Sequence, residues 1–329
     1  MTRSKKTASI PLDMNAARPA RQPTRRIDGV FLLDKPQGLS SNAALQRAKH
    51  LYQADKAGHT GTLDPLATGL LPICFGDATK FAQALLDAHK TYVAVLRLGV
   101  TTTTGDAEGE VVASRPPTSS RDDLESVLPR FVGRIAQVPP RHAALKRDGR
   151  RYYEYARQGV EIVRLPREIE IGAITLLDWQ PPEATLRVHC GKGTYIRALA
   201  EDIGAALGCG AHLAALSRTA SGEFALADAL TLDDLQRRSL AGRDALLLPV
   251  DALVSTLTRL DLDGSDAIRL AHGQVVQRAG LGDGIVRVYA GGVFAGVATI
   301  AGGLLRARRL VAQAAVRASP ARVCNALES

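Results

Sequence analysis

The residues best placed to do chemistry lie in one short stretch, Gly58-His59-Thr60-Gly61-Thr62-Leu63-Asp64-Pro65-Leu66-Ala67-Thr68-Gly69-Leu70-Leu71-Pro72. His59, Thr60, Thr62 and Asp64 are its polar side chains before Thr68, and Asp64 is its only carboxylate. Pro65 steers Asp64 away from the α region, and the glycines let the backbone turn sharply. One carboxylate is thus presented on an irregular loop between apolar segments. A carboxylate so held can act as a nucleophile or a base. An Asp-Pro pair also serves as an Asx turn that accepts local N–H bonds, and spacing alone favours the turn. The glycine spacing is too common to mark a phosphate loop.

A second chemically suggestive segment runs from Arg141 to Arg157, where Arg141, Lys146, Arg147, Arg150, Arg151 and Arg157 face only Asp148 and Glu154 and are interleaved with three tyrosines. Cations that reach phosphates beside rings that stack on bases make an RNA grip; a solvated helix face with tyrosines packed inward has the same composition. Cys74, Cys190, Cys209 and Cys324 form no C-x-x-C pair and have no matching histidine spacing, which argues against a zinc site and a disulfide framework.

These residues must be positioned by a mixed body of strands and helices. Val30-Phe31-Leu32-Leu33 reads as a buried strand closed by Asp34-Lys35-Pro36. Ser40 or Ser41 can cap a helix with Ala44, Leu45, Ala48, Leu51 and Tyr52 on one face. Asp77 can cap another through Phe81, Ala84 and Leu85, and residues 91–98 alternate as a strand, with Tyr92, Ala94, Leu96 and Leu98 facing one way. Ser120 and Asp123 resemble a capping box before Leu124, Val127, Leu128 and Phe131, with Gly133 as the stop. Strand patterns recur at 134–138, 168–177 and 184–190, and a helix with Ile196, Leu199, Ala200, Ile203 and Leu207 inward ends at Gly208. Without a strict βαβ beat this predicts an α+β body whose mixed sheet is mainly antiparallel, flanked by helices. Beyond about residue 253, Val-rich runs at 284–289, 292–300 and 304–310 predict a small separate β domain.

The chain has 329 residues, 46% hydrophobic and 23% charged, which suits a globular protein of about two domains. Lys and Arg number 42 against 33 Asp and Glu, a net charge of +9. Residues 1–26 carry +6 and residues 303–329 carry +4, leaving the body near −1. Basic ends suit a polyanionic partner such as nucleic acid, or are simply solvated. No stretch approaches the ~20 apolar residues of a membrane span, and the N-terminus lacks the apolar core of a secretory signal. A reducing, cytoplasmic setting is expected.

The Gly58–Pro72 block resembles the signature of the TruB family of tRNA pseudouridine synthases, and it has companions in the family's order. These are Gly29-Val30-Phe31-Leu32-Leu33-Asp34-Lys35-Pro36-Gln37-Gly38-Leu39-Ser40-Ser41 upstream, and Lys90-Thr91-Tyr92, Ala144-Leu145-Lys146 and Gly193-Thr194-Tyr195-Ile196-Arg197 downstream. Together they span residues 29 to about 219. The resemblance implies a pseudouridine synthase fold and an enzyme that isomerises the T-loop uridine of tRNA, conventionally position 55, by base flipping, without cofactor or metal. It makes Asp64 the nucleophile, attacking base C6 or ribose C1′, with Tyr92 stacked on the base and active in proton transfer. Arg197 would keep Asp64 ionised and aimed. Tyr195 and the apolar Leu216 would line the pocket, Lys35 would serve structure or contact phosphate near the loop, and His59 would fill the space the flipped base leaves. An extended 193–197 would put Tyr195 and Arg197 on one face.

By the same resemblance the basic insertion at about 134–165, with Lys146, Arg150 and Arg151, clasps the T arm, and its presence points to a self-sufficient monomer that needs no guide RNA. The expected layout is a disordered basic arm over 1–26, a catalytic domain over 27–253, a PUA-like RNA-binding domain over 254–313 whose Arg306, Arg308 and Arg309 suit the acceptor stem, and a tail over 314–329. Two departures stand out. Ala143 replaces the usual Ser before Ala-Leu-Lys, and the run Thr101 to Thr104 lacks the family's usual Asp, although Asp106 and Glu108 follow closely.

Overall fold

The computed structural model describes residues 23–312, apart from 142–144, 148, 159, 161 and 279. The leader to residue 22, the tail from 313, and Ala143 with Ala144 therefore lie outside the described residues. The chain is already held within the last residues of the arm expected over 1–26. Arg25 ion-pairs with Asp244, and Arg26 lies 3.5 Å from Asp77. Those two residues act as anchors rather than as part of a free arm.

Strand β1 (Gly29–Lys35) leads to helix α1 (Ser41–Leu51), capped by Ser40, which accepts from the Ala43 N–H at 3.1 Å. The adjacent Ser41 turns the other way, its hydroxyl donating to Leu63 O at 2.9 Å and accepting from Leu63 N–H at 2.7 Å. The Asp64 loop is thereby stapled to the start of α1. It lies between β2 (Ala57–His59) and β3 (Thr68–Phe75). A 3₁₀ turn over Gly76–Lys80 precedes α2 (Ala82–Asp87). Asp77 does not cap that helix; it sits buried in the turn, bound to Lys80 and the Ala312 N–H, because its acceptor oxygens are engaged by later chain.

Next come β4 (Lys90–Leu98), the hairpin β5 (Val100–Thr102) and β6 (Val111–Ser114), and α3 (Arg121–Val127), whose Ser120–Asp123 capping box forms in both directions. A 3₁₀ turn over Leu128–Phe131 separates α3 from β7 (Gly133–Gln137). Gly133, at φ +96°, opens the strand rather than directly stopping the helix. The basic segment contains a hairpin of β8 (Lys146–Arg147) with β9 (Arg150–Arg151), and then α4 (Tyr152–Arg157) with Tyr152 buried. The long strands β10 (Arg167–Gln180) and β11 (Glu183–Cys190), helix α5 (Ile196–Ala206), β12 (Ala211–Ser221) and the short β13 (Phe224–Ala225) follow.

The main sheet runs β1-β3-β12-β4-β11-β10-β7, antiparallel except where β12 meets β3. At that parallel contact Gly69 adopts φ +97°, and a Cβ there would stand 2.5 Å from Arg218 O. Gly69→Ala is therefore expected to cost about 3 kcal/mol or more, through backbone strain and overlap with an immovable carbonyl; urea denaturation checks it. Two cores flank the sheet. Ala94, Leu124, Leu186, Leu199 and Ile203 pack beneath α3 and α5, while Phe31, Ala44, Tyr52, Leu63 and Ile73 pack beneath α1. Tyr92 and Leu216 touch both cores, so they stand on the seam between them.

After the short helices α6 (Leu232–Gln236) and α7 (Leu240–Asp244), a second sheet forms from β14 (Thr258–Leu262), β15 (Val276–Gln277), β16 (Gly284–Ala290), β17 (Val293–Ala301) and β18 (Leu304–Leu310). Its order is β14-β16-β17-β18-β15, and α8 (Gly264–Ala271) closes its own small core around Leu270, Val288, Ala298 and Leu305. The sheet is fastened to the body by a T-shaped Phe81–Phe294 pair at 5.3 Å, by Tyr289 Oη donating to Asp251 at 2.5 Å, and by Lys80 Nζ donating to Leu310 O at 3.0 Å. The α+β class with a β-rich C-terminal sheet is the one expected.

Candidate active site

The seam between the two cores opens into a cleft of about 270 Å³. Its walls come from the stapled loop (Gly61 to Asp64), strand β4 (Lys90 and Tyr92), the segment 191–197, and strand β12 (Leu216 and Arg218). Stretches far apart in sequence therefore meet here, and Asp64, Tyr92, Tyr195, Arg197 and Leu216 are all brought together.

Asp64 is held by Ser41 through Leu63 and by its own carbonyl, which accepts from the Ala67 N–H at 3.1 Å. Its carboxylate lies 3.0 Å from Arg197 Nε and remains 39% exposed, open to the cleft. Arg197 is 7% exposed and has a second carboxylate, Asp106, 3.4 Å from Nη1; that guanidinium nitrogen also donates to Thr104 O at 3.2 Å. Asp106 is 3% exposed, accepts from Thr104 Oγ1 and from the Glu108 N–H, and so fixes the far side of Arg197. Although the threonine run carries no Asp, Asp106 supplies a buried carboxylate just beyond it, on the loop between β5 and β6.

The extended reading of 193–197 is corrected. Gly193 turns the chain at φ +81°, Tyr195 is extended (φ −105°, ψ 109°), and α5 begins at Ile196 to bury Ile196, Leu199 and Ile203. Tyr195 and Arg197 reach the cleft from the helix entrance rather than from one strand face. Gln137, 2% exposed at the end of β7, clamps that entrance: its Oε1 accepts from the Tyr195 N–H at 2.8 Å and its Nε2 donates to Tyr195 O at 3.1 Å. Gln137→Leu is expected to cost about 2 kcal/mol by leaving the Tyr195 N–H without its acceptor, read by urea denaturation.

Tyr92 lies across the ladder from Arg218, and Leu216 across from Ala94. Burial pushes the Tyr92 phenol above its ordinary value, opposed by the charge and hydrogen bond of Arg218. Burial likewise raises Tyr195. Lys90 donates to the carbonyls of Leu85, Leu86 and Ala88 at 3.0, 2.7 and 2.6 Å, and burial brings it down to about 8.

The remaining expected site residues lie elsewhere. Lys35 is fully enclosed, donating to Pro36 O at 2.9 Å and Leu39 O at 2.6 Å; burial lowers it to about 8 despite the nearby Asp64 charge. It secures the turn before α1 and does not line the cleft. His59 ends β2, half-buried, with Nδ1 unpartnered, and its proton affinity is lowered by burial and by Arg218. The side chains of Lys146, Arg150 and Arg151 lie outside the described residues. Asp106, Gln137, Lys90 and Arg218 escaped sequence reasoning as site residues. For the last two a signal existed: Lys90 and Tyr92, like Leu216 and Arg218, are two apart on one strand and share a face. Among the described residues no group of three or more His, Cys, Asp or Glu could hold a metal ion, and no helix is long and apolar enough to cross a membrane.

Residues 49–196 match the family described as TruB family pseudouridylate synthase (N terminal domain). Residues 197–255 match the tRNA pseudouridylate synthase B C-terminal domain, and residues 258–311 match Pseudouridine synthase II TruB, C-terminal. The tRNA pseudouridine synthase B of Thiobacillus denitrificans is 56% identical over 90% of this chain and 98% of its own, and that of Cupriavidus metallidurans 54% over 91% and 99%. Among solved structures, an H/ACA RNP bound to a substrate RNA containing 2′-deoxyuridine superposes with a TM-score of 0.66 at 26% identity, over 86% of this chain and 84% of the other. A Cbf5-Nop10-Gar1 complex gives 0.64 at 27% identity, over 87% and 80%.

Proposed function

The chain belongs to the TruB family of pseudouridine synthases and is an isomerase of uridine in tRNA, and from that premise we propose how it acts: it flips the T-loop uridine, position 55, into the cleft where Asp64 opens the glycosidic bond. The observation that carries this reading is the Asp64 carboxylate, exposed to the cleft and aimed by Arg197 at 3.0 Å. Tyr92 offers its ring to the extruded base and its hydroxyl to proton transfer, while Leu216 supplies an apolar wall. A detached base must rotate and rejoin through C5 before water intervenes, and a small cleft built on the seam of two cores supports that exclusion.

The T arm is the region gripped, with the basic hairpin segment against phosphates and the C-terminal sheet, carrying Arg306, Arg308 and Arg309, toward the acceptor stem. The layout that serves this is a catalytic domain over about 27–253 and an RNA-binding domain over about 254–313. The enzyme works as a cytoplasmic monomer without a guide RNA; independence from other RNA is the part supported by the far greater identity to the tRNA pseudouridine synthase B relatives than to the chain in the H/ACA RNP structure.

Tritium release from a bare T-arm transcript labelled at uridine C5 tests the whole reading, since bond formation at C5 expels that hydrogen. Release by the purified chain alone is expected. Binding of the transcript without release would overturn the catalytic reading, and release only when other proteins and a guide are added would overturn self-sufficiency.

A further inference from the structure

Arg218 heads the fully buried side chains by size, 1% exposed, yet it reaches the floor of the cleft. Main-chain carbonyls fix it: Nε donates to Leu70 O at 2.7 Å and Nη2 to Gly61 O at 3.3 Å, and its strand position stands across the ladder from Tyr92. A buried charge is ordinarily paired with an opposite one. Arg197 obeys that rule twice over, with Asp64 and Asp106. Arg218 has no carboxylate within ion-pair distance among the described residues, and neither has Lys90, whose ammonium is surrounded by three carbonyls. The charges lining the cleft therefore differ in kind: Asp64 is paired with Arg197, whereas Lys90 and Arg218 have no protein carboxylate within ion-pair distance among the described residues. The Arg218 charge is felt around the whole site, being among the causes that lower proton affinity at Lys35, Lys90 and His59.

We infer that Arg218, with Lys90 beside it, is the counter-charge for the base while it is detached from the ribose; the inference rests on the function proposed above. On the ribose-attack path, an Asp64 carboxylate oxygen bonds to C1′ as the C1′–N1 bond breaks with its electron pair on the base. The ring then carries a negative charge shared over N1, O2 and O4. C5 next attacks C1′, the C1′–O bond breaks with its pair returning to the carboxylate, the C5 proton departs, and N1 gains a proton. Between those events the loose ring needs a fixed positive charge that holds it without reorganising, which a guanidinium tied to backbone carbonyls provides. A charge fixed in place in this way lets the base turn without a change of counter-ion.

The test compares single-turnover consumption of uridine and of 5-fluorouridine at the target position of a T-arm RNA. Fluorine at C5 withdraws electrons and stabilises the ring anion by itself, so the fluorinated base depends less on the protein's charge. Arg218→Met is expected to slow uridine by about 100-fold or more and 5-fluorouridine far less, while Arg218→Lys returns the ratio of the two rates toward native. Equal slowing of both bases, as a purely structural strut would give, overturns the inference, as does no slowing. If Arg218→Met does not fold, Lys90→Gln reads the same ratio, and a ratio unchanged there overturns the shared counter-charge. The native chain separates the two readings: no uridine consumption by it sinks the proposed function, whereas native turnover with unchanged variant ratios sinks only the role of Arg218 and Lys90.

Discussion

Asp64→Asn is expected to eliminate tritium release, lowering turnover by on the order of 10⁴-fold or more, as loss of a nucleophile does. The substitution preserves shape, so Ser41 still staples Leu63 and the Ala67 N–H still meets the residue-64 carbonyl. It removes only the anionic oxygen that bonds to carbon in the proposed mechanism. Folding should hardly change: the side chain is 39% exposed, and Arg197 keeps Asp106 as its partner, so the loss stays within about 1 kcal/mol. T-arm affinity, measured by filter binding, should also persist, because the grip proposed for the phosphates is the basic hairpin segment rather than Asp64. Turnover within tenfold of native would mean that another group attacks.

Arg197→Met is the second large effect, and it strikes stability and catalysis through different partners. Asp106, 3% exposed, would be left as a buried carboxylate without its cation, which costs about 3–5 kcal/mol. The Thr104 hydroxyl and Glu108 N–H still bind it and place the loss toward the lower end. A fall in melting temperature of roughly 10 °C follows for a domain of this size. Turnover drops by about 10²–10³-fold as Asp64 loses the group that aims it. The double variant Arg197→Met/Asp106→Asn should recover most of the lost melting temperature while remaining as inactive as the single one. A double variant that melts no higher would show that the stranded Asp106 charge is not what destabilises the single variant.

What could be read from the residues was whatever is local in the chain. The Asp64 loop, the Ser120–Asp123 box and the Val-rich strands beyond 284 all declare themselves within a few positions, and each lies where the pattern places it. Arg197 was identifiable as a site residue from its motif although its backbone was not: Gly193 turns the chain and α5 begins at Ile196. Asp106 and Gln137 were not legible, and of Arg218 only its place on the Leu216 face was, because each acts through a partner far away in sequence. Gln137 grips residue 195, Arg218 bonds carbonyls at 61 and 70, and Asp106 meets Arg197 only after the sheet is assembled. Asp77 misled for the same reason, since its partner is the N–H of Ala312.

The place of β12 in the sheet has a consequence for how the protein is born. This strand, residues 211–221, is inserted between β3 and β4, both made long before it. A ribosome that has released everything through α5 has therefore delivered Asp64, Tyr92 and Arg197 on a sheet in two unjoined pieces, each with a bare edge. Only the arrival of β12 zips them together, bringing Leu216 and Arg218 with it. Non-local pairing of this kind folds slowly, and unprotected edges invite association with other chains. Nascent chains stalled before residue 211 should consequently be inert and prone to aggregate, so activity appears in one late step of synthesis rather than by degrees.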